Sequence, residues 1–256
     1  MRNQISVPEL AARLTTAAAG RCAIGKLTDQ FPELDLAAAY RVQRELRSNA
    51  GAQAGWKLGL TSPAKQAQVG VDEPIYGFLP ASGELEPGES LDTRTQIQPR
   101  CEPEIAFILG CDLVGPHVTA TEVLAATSAV AVGIEVLDSR YLDYHFTTAD
   151  VVADNTSASR YVLGSPVVPS EIDLRLVGVV LEKNGAIAAT ATGAASLGDP
   201  AAAVAWLART LAPEGEGLRA GEIVLSGGLT AAVPVAPGDT VTVTIDRLGT
   251  IELRCR

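Results

Sequence analysis

The stretch that decides the fold is Arg100-Cys101-Glu102-Pro103-Glu104-Ile105-Ala106-Phe107-Ile108-Leu109. In an extended strand, side chains at positions i and i+2 share a face, so Glu102 and Glu104 point the same way. The continuous apolar run over residues 105–109 predicts a strand that is covered on both faces. Two carboxylates at the entrance to a buried strand are costly unless a positive group meets them. The stretch therefore predicts either an arginine or a metal ion beside the two glutamates.

Glu135 is a third carboxylate in a similar setting, because it lies within a second apolar stretch over residues 131–137 that also predicts a strand. A lone buried carboxylate costs several kcal/mol or takes up a proton. Three converging glutamates would repel one another unless a cation lay among them, and an all-oxygen ligand set suits Mg²⁺ or Mn²⁺. Spacing alone leaves open the alternative that each glutamate pairs with a base such as Arg100 or Arg140.

Lys57 and a polar segment are further candidates for chemistry. Lys57 lies in an apolar, glycine-flanked strand candidate, where it could hydrogen-bond an anionic oxygen or act with a lowered pKa. Taken alone, the favoured interpretation is a lysine whose amine reaches solvent along the strand. Residues 154–160 could bind a carboxylate through hydroxyl and amide groups, or form an ordinary loop. The chain has two histidines, His117 and His145, which we predict to be surface or structural residues.

The composition excludes several function classes. The 256 residues carry a formal net charge of −10 with 47% hydrophobic and 20% charged residues, and without a basic cluster they are not expected to bind nucleic acid or anionic membranes. No apolar run approaches the roughly 18 residues of a membrane span. Arg13 interrupts the N-terminal stretch, so we expect no secretory signal. The four scattered cysteines predict reduced thiols in a cytoplasmic protein.

The pattern along the chain predicts an α+β fold in one domain, residues 1–256. Residues 1–50 read as a mostly helical N-terminal segment, and residues 51–256 as a β-rich catalytic part. Helix starts are predicted at a capping box over residues 6–9, at Asp35, at Ser62-Pro63, at a capping box formed by Thr119 and Glu122, and at Asp199-Pro200. Asn184-Gly185 predicts a hairpin turn between two strands.

Several segments together resemble a known family. They include Lys57-Leu58-Gly59-Leu60-Thr61-Ser62, Glu102-Pro103-Glu104-Ile105, Glu135-Val136-Leu137-Asp138-Ser139-Arg140-Tyr141, Val151-Val152-Ala153-Asp154-Asn155 and Ser226-Gly227-Gly228-Leu229-Thr230. In this order the chain resembles the 2-hydroxypentadienoate hydratase / 4-oxalocrotonate decarboxylase family, within the fumarylacetoacetase-like superfamily. The resemblance extends over nearly the whole chain, which makes it stronger than any single motif.

The resemblance implies a fold, a metal site and a set of site residues. The implied fold is a mixed β-roll or barrel with peripheral helices, and the implied metal is Mg²⁺ or Mn²⁺. The implied ligands are Glu102, Glu104 and Glu135, and Lys57 is the implied catalytic lysine. Further candidates for substrate binding are Leu58, Asn155, Ser157 and Arg160, of which Arg160 is the candidate partner for a second substrate carboxylate.

The family contains two reactions, and Ile75 helps to choose between them. Where this chain has Pro74-Ile75-Tyr76-Gly77, the sequences of the family's hydratases resemble Pro-Asp-Phe-Gly. An aspartate in place of Ile75 could position the water that is added. The resemblance therefore implies decarboxylation of 2-oxo-3-hexenedioate (4-oxalocrotonate) to 2-hydroxypenta-2,4-dienoate in the meta-cleavage pathway of aromatic catabolism. The alternatives are the hydratase reaction and a non-catalytic partner subunit. A homo-oligomer, and association with a related hydratase, are also expected.

Overall fold

The computed structural model describes residues 6–62, 66–67 and 71–256. Strands dominate the chain after residue 52, as the alternating and apolar stretches predict. Within the described ranges the strands are β1 (Gln53–Gly59), β2 (Ile75–Pro80), β3 (Glu84–Leu85), β4 (Ser90–Leu91), β5 (Arg100–Leu109), β6 (Thr127–Leu137), β7 (Ala158–Leu163), β8 (Gly178–Lys183), β9 (Ala186–Thr192), β10 (Ile223–Leu225), β11 (Val233–Pro234), β12 (Thr240–Ile245) and β13 (Gly249–Cys255).

Two mixed sheets form the body of the molecule, and together with the helices they make the predicted α+β fold. The larger sheet has the order β2-β1-β10-β5-β6-β7-β3, with β11 also paired to β5. The smaller sheet has the order β4-β13-β12-β8-β9. Apolar side chains from both sheets share one core, in which Val132 and Ile134 of β6 pack with Val243 of β12 and Leu253 of β13.

The central pair β5 and β6 confirms the two strands that the apolar stretches predicted. They pair antiparallel, with Glu102 opposite Glu135 and Glu104 opposite Gly133. Residues 101–107 of β5 are all buried, as a strand covered on both faces requires. Odd-numbered residues such as Cys101 and Ile105 belong to the shared core. The even-numbered residues, including both glutamates, therefore face the interior of the roll.

Helices pack against β1 and β2 of the larger sheet, and four of the six that the structure describes begin at predicted starts. Asp35 accepts a hydrogen bond from the Ala38 amide, and the predicted box of Thr119 and Glu122 forms. The helices are Val7–Gly20, Leu27–Gln30, Leu36–Asn49, Ala120–Ala126, Thr148–Ala153 and Pro200–Leu211. Among the described residues, none of these helices has both the length and the apolar composition that crossing a bilayer requires.

Some local predictions need correction or confirmation. The first helix begins at Val7 as expected, but Ser6 makes no side-chain cap, so the predicted capping box is absent and only its proline signal was informative. The hairpin turn is confirmed, since Asn184 and Gly185 have φ values of 54° and 76° in the left-handed region that such turns require. The helix predicted to start at Ser62-Pro63 lies largely outside the described residues.

Candidate active site

Three glutamates converge on the interior face of the larger sheet. Glu102 and Glu104 come from β5, and Glu135 comes from the facing position on β6. One carboxylate oxygen from each lies within 4.8 Å of the other two, and all three side chains are buried. Buried like charges at this separation repel strongly and require a cation or bound protons. Hard divalent cations take all-oxygen ligand sets of this kind, so the residues fit Mg²⁺ or Mn²⁺.

Pro103 explains how the backbone leaves room for this cluster. Beside β5, β10 pairs only with residues 106–108 and β11 only with residues 100–101, so Pro103 lies in a gap of the ladder. A proline has no amide hydrogen to offer a neighbouring strand, which makes the gap cheap. The glycine-rich segment after β10 fills it: Leu229 donates to the Pro103 carbonyl at 2.9 Å, and the Gly227 amide donates to Glu104 Oε2 at 2.6 Å.

Gly228 lies against the Glu102 carboxylate, which leads to a prediction. A Cβ added at Gly228 would lie 2.1 Å from Glu102 Oε2, so Gly228→Ala must displace that carboxylate. We expect metal affinity to fall by about 10- to 100-fold, as when a ligand's support is disturbed, with little change in the thermal stability of metal-free protein. Calorimetric titration with Mn²⁺ measures the loss. Gly178→Ala, whose Cβ would meet no atom within 4 Å, is the matched control, and equal affinities for the two variants would contradict the prediction.

Lys57 is part of the same cluster and does not reach solvent. Only 2% of its side chain is exposed, and its Nζ lies 2.9 Å from Glu135 Oε1. Nζ also donates to the Thr156 carbonyl at 3.2 Å. The favoured interpretation of a solvent-reaching lysine was therefore wrong. The reason is the strand order, since β1 lies between β2 and β10 and its Lys57 side chain meets Glu135 on the interior face of the roll.

The protonation of the cluster follows from burial and from its uneven charge. Burial disfavours the charged form of Lys57, but Glu135, Glu104 and Glu102 outweigh it, so the pKa of Lys57 is raised. This direction favours a protonated Lys57 over a base with a lowered pKa. Burial, reinforced by Glu135 and Glu102, raises the pKa of Glu104 well above its ordinary value. Burial also raises the pKa of Glu135, against the attraction of Lys57. One lysine thus does not balance three glutamates.

Two carboxylate oxygens remain available to a cation. Glu104 Oε1 and Glu135 Oε2 are buried, and neither has a hydrogen-bond partner within the described ranges. Buried polar atoms without partners are rare, and a bound cation would satisfy both of these oxygens. The alternative that Arg100 or Arg140 neutralises the glutamates is wrong. The Arg140 guanidinium pairs with Asp154 instead, and that of Arg100 stacks on the ring of Tyr144.

A cavity of about 500 Å³ opens directly onto this cluster. Lys57 and Glu102 form part of its wall, and so do Ile75 and Ser157, which the sequence singled out. The rest of the wall is mainly apolar or aromatic and includes Leu60, Leu137, Tyr144, Phe146, Val151, Ala231 and Ala232. A few converging charged groups in an otherwise apolar cavity are typical of a small-molecule site.

A strained turn forms one side of the cavity. Asn155, Thr156 and Ser157 are three consecutive residues with φ values of 49°, 51° and 59°, and each such residue costs on the order of 1 kcal/mol. The Asn155 side chain holds the turn by pairing with both the amide and the carbonyl of Phe78 at 2.9 Å. The turn presents the Thr156 carbonyl to Lys57 and leaves the buried Ser157 hydroxyl without a partner.

Three of the predicted substrate-binding side chains lie elsewhere. Asn155 uses its amide oxygen and its amide nitrogen on Phe78, so its side chain supports the turn, and it is not among the residues that line the cavity. Leu58 alternates with Lys57 along β1 and packs into the shared core. Arg160 lies opposite Val136 in the pairing of β6 and β7, so its side chain starts on the face of the shared core. Its guanidinium donates to the Ser82 carbonyl. The directions of the Leu58 and Arg160 side chains follow from strand pairing, which sequence proximity does not reveal.

Two basic side chains that line the cavity, Arg100 and His145, were not predicted as functional. Arg100 lines the cavity and lies on the same face of β5 as Glu102 and Glu104. The same i, i+2 rule that paired the glutamates could have placed Arg100 on their face. His145, predicted to be surface or structural, is exposed at the rim of the cavity.

Comparison with known proteins adds the family to this geometry. Residues 42–256 match the family model described as fumarylacetoacetate (FAA) hydrolase C-terminal. The chain belongs to this family. It is 45% identical to a 4-oxalocrotonate decarboxylase of Pseudomonas sp. (strain CF600), covering 90% of this chain and 89% of that protein. It is 40% identical to a 2-keto-4-pentenoate hydratase of Burkholderia vietnamiensis (strain G4 / LMG 22486), covering 98% of each.

A solved structure has a fold very similar to that of this chain. The 4-oxalocrotonate decarboxylase from Pseudomonas putida G7, complexed with magnesium and adipate, superposes with a TM-score of 0.95. The two chains are 42% identical and each is 99% covered. The fumarylacetoacetate hydrolase fold, predicted from the sequence as a mixed β-roll with peripheral helices, is thereby confirmed.

Proposed function

We propose that this chain is a divalent-metal-dependent lyase that decarboxylates 2-oxo-3-hexenedioate (4-oxalocrotonate) to 2-hydroxypenta-2,4-dienoate in the meta-cleavage pathway of aromatic catabolism. The observation that carries the proposal is the buried cluster of Glu102, Glu104, Glu135 and Lys57 at the end of a largely apolar cavity. Relatives with this activity, 42–45% identical over most of their length, support it, as does the magnesium in the similar solved structure.

The cluster suits the electron flow of this reaction. When the C5–C6 bond breaks and carbon dioxide leaves, its electron pair moves through the C3–C4 alkene onto the 2-oxo oxygen. Mg²⁺ or Mn²⁺ bound by the three glutamates would supply a Lewis acid at that oxygen. The neighbouring glutamates raise the pKa of Lys57 against the effect of burial, which favours a protonated lysine that would donate a hydrogen bond to the developing negative charge. Ser157 supplies a further unpaired hydroxyl at the cavity wall.

The wall around Ile75 favours decarboxylation over hydration. Ile75 is buried and lines the cavity with Leu60 and Val151. An aspartate at this position could position or deprotonate the water that is added to a diene, and an isoleucine cannot. Among the described lining residues, the one carboxylate is Glu102, a proposed metal ligand. The hydratase reaction remains the second candidate because hydratases are among the relatives at about 40% identity. A non-catalytic partner subunit is less consistent with a complete set of three glutamates and one lysine.

The proposal is tested with purified protein stripped of metal by a chelator. Substrate is added with and without Mg²⁺ or Mn²⁺, and carbon dioxide release is measured. We expect release only when the metal is restored. Absence of release, together with metal-dependent hydration of 2-hydroxypenta-2,4-dienoate, would reassign the protein as a hydratase, and neither activity in metal-loaded protein would favour the partner subunit.

We also propose four properties beyond the reaction itself: a single domain over residues 1–256, a homo-oligomer, association with a related hydratase, and a cytoplasmic location. Decarboxylases and hydratases are both found among the relatives of this chain. Light scattering of the purified chain, alone and mixed with a hydratase of the family, measures the oligomer and the association. A monomer that does not bind the hydratase would contradict both.

A further inference from the structure

Arg100 stands out among the charged residues that the mechanism does not use. It lines the cavity, yet in the part of the chain that the structure describes its guanidinium makes no ion pair and no hydrogen bond. Its recorded contact is with the face of Tyr144, whose ring centroid lies 3.9 Å from the guanidinium carbon. Stacking on an aromatic face leaves the N–H edge of a guanidinium available to an anion.

The position of Arg100 is set by strand pairing on both sides. Its backbone lies opposite Leu137 on β6 and Pro234 on β11. The ring of Tyr144 supports the guanidinium. Its hydroxyl lies 3.1 Å from the Leu137 carbonyl and 3.2 Å from the Gln98 carbonyl, and these contacts hold the ring in place. Tyr144 has a φ of 59°, a left-handed conformation that tyrosine adopts only at a cost. Strand pairing and these hydrogen bonds therefore fix the Arg100–Tyr144 stack in the cavity wall.

The spacing along β5 matches a dicarboxylate. Arg100 precedes Glu102 by two strand positions, which corresponds to about 6.6 Å. In 2-oxo-3-hexenedioate, five carbon–carbon bonds of about 1.5 Å separate the two carboxyl carbons, or about 6 Å in an extended chain. A substrate whose 2-oxo acid end lies at the glutamate cluster thus carries its distal carboxylate to the level of Arg100.

We infer that Arg100, supported by Tyr144, binds the distal carboxylate of the substrate and makes the cavity selective for dicarboxylates over monocarboxylates. The inference rests on the proposed function and replaces Arg160 as the predicted partner of that carboxylate. A protein with a net charge of −10 repels dianions, so a local cation is needed to attract one. Because the distal carboxylate departs as neutral carbon dioxide, Arg100 stabilises the bound reactant more than the transition state, and it contributes to affinity and selectivity instead of rate.

The test compares adipate with hexanoate, which have the same chain length and differ in one carboxylate. Calorimetric titration of magnesium-loaded protein gives both dissociation constants. We expect the wild type to prefer adipate by about 10-fold or more, as for a charge-assisted pair. Arg100→Met should reduce that ratio to near one while leaving the hexanoate affinity unchanged. With the proposed substrate, Arg100→Met should raise KM about 10- to 100-fold and leave kcat within about threefold.

Further variants keep the result interpretable. Tyr144→Leu removes the stacking surface but not the charge, and should reduce the adipate preference about threefold. Arg254→Met, which changes an exposed arginine on β13 that pairs with Glu252, is the matched control and should retain the wild-type ratio. Folding of each variant is checked by its thermal melt. If Arg100→Met is unfolded, Arg100→Lys replaces it. This variant keeps the charge and should show a reduced preference for adipate over hexanoate.

Three results would overturn the inference: an unchanged adipate preference in a folded Arg100 variant, loss of the preference in Arg160→Met, or its loss in His145→Gln alone. Failure of the proposed function looks different, because it is absence of carbon dioxide release by the wild type. Adipate binding does not depend on turnover, so an Arg100-dependent preference in a protein without decarboxylase activity would retain the carboxylate subsite and reject the reaction.

Discussion

Replacing Glu104 by glutamine is expected to abolish metal-dependent activity and, at the same time, to stabilise the metal-free protein. Glutamine keeps the acceptor for the Gly227 amide but removes one of three buried negative charges. Activity should fall at least about 100-fold, since a divalent Lewis acid contributes several kcal/mol and about 1.4 kcal/mol is tenfold in rate. The gain in thermal stability that Mn²⁺ gives the wild type by binding the folded state should be largely lost.

The stabilisation of metal-free protein has a definite pH window. The pKa of Glu104 in the folded protein is raised well above its ordinary value, so the folded state binds more protons than the unfolded state between about pH 4.3 and that raised pKa. Metal-free wild type therefore loses stability as the pH rises through this window, by about 1.4 kcal/mol for each unit of pKa difference. Glu104→Gln removes this loss, and its thermal melt should exceed that of wild type at pH 8 more than at pH 5.

Glu222 provides the matched control for this experiment. It is a half-buried glutamate that accepts a hydrogen bond from Trp56 Nε1 at 3.2 Å and lies outside the cluster. Glu222→Gln should keep the response to Mn²⁺ and most of the activity. Full activity in Glu104→Gln, or an Mn²⁺ response equal to that of the wild type, would exclude Glu104 as a ligand.

Much of the site could be predicted from local rules, because a strand alternates with a period of two. Glu102 and Glu104 share a face for this reason, and the apolar run after them indicates burial on both sides. That Glu135 faces Glu102 across the ladder depends on pairing register, which neither stretch specifies alone. The resemblance to a family supplied that register indirectly, by implying a common metal.

The errors share a physical cause. Whether Lys57 reaches solvent depends on which strands flank β1, and its length and charge fit either outcome. Asn155 has a typical ligand-binding side chain, but a turn with three left-handed residues needs it to hold the backbone. Arg100 was considered only as a partner for the glutamates, whereas its charge meets an aromatic face. In each case the sequence indicates what a side chain can do, and the tertiary partner determines what it does.

Replacing Lys57 by methionine is expected to separate catalysis from metal binding. The ammonium lies 2.9 Å from Glu135 Oε1, where it competes with a cation for that carboxylate. Removing it should leave metal affinity unchanged or higher. The donor for the developing oxyanion is lost, so kcat should fall by about 100- to 1,000-fold, as when an oxyanion-hole donor is removed. Activity assays at saturating metal and calorimetry of metal binding measure the two effects independently.

The same variant should be unstable without metal. Glu135 is fully buried, and breaking a buried ion pair costs about 3–5 kcal/mol because one charge remains uncompensated. A divalent cation restores the compensation, so Mn²⁺ should raise the melting temperature of Lys57→Met more than that of wild type. Lys183→Met, which removes a partly exposed lysine paired with Asp239, should show neither effect. Wild-type kcat in Lys57→Met would reduce Lys57 to a counter-ion, whereas loss of metal binding would mean that Lys57 holds the glutamates in place and does not compete with the metal.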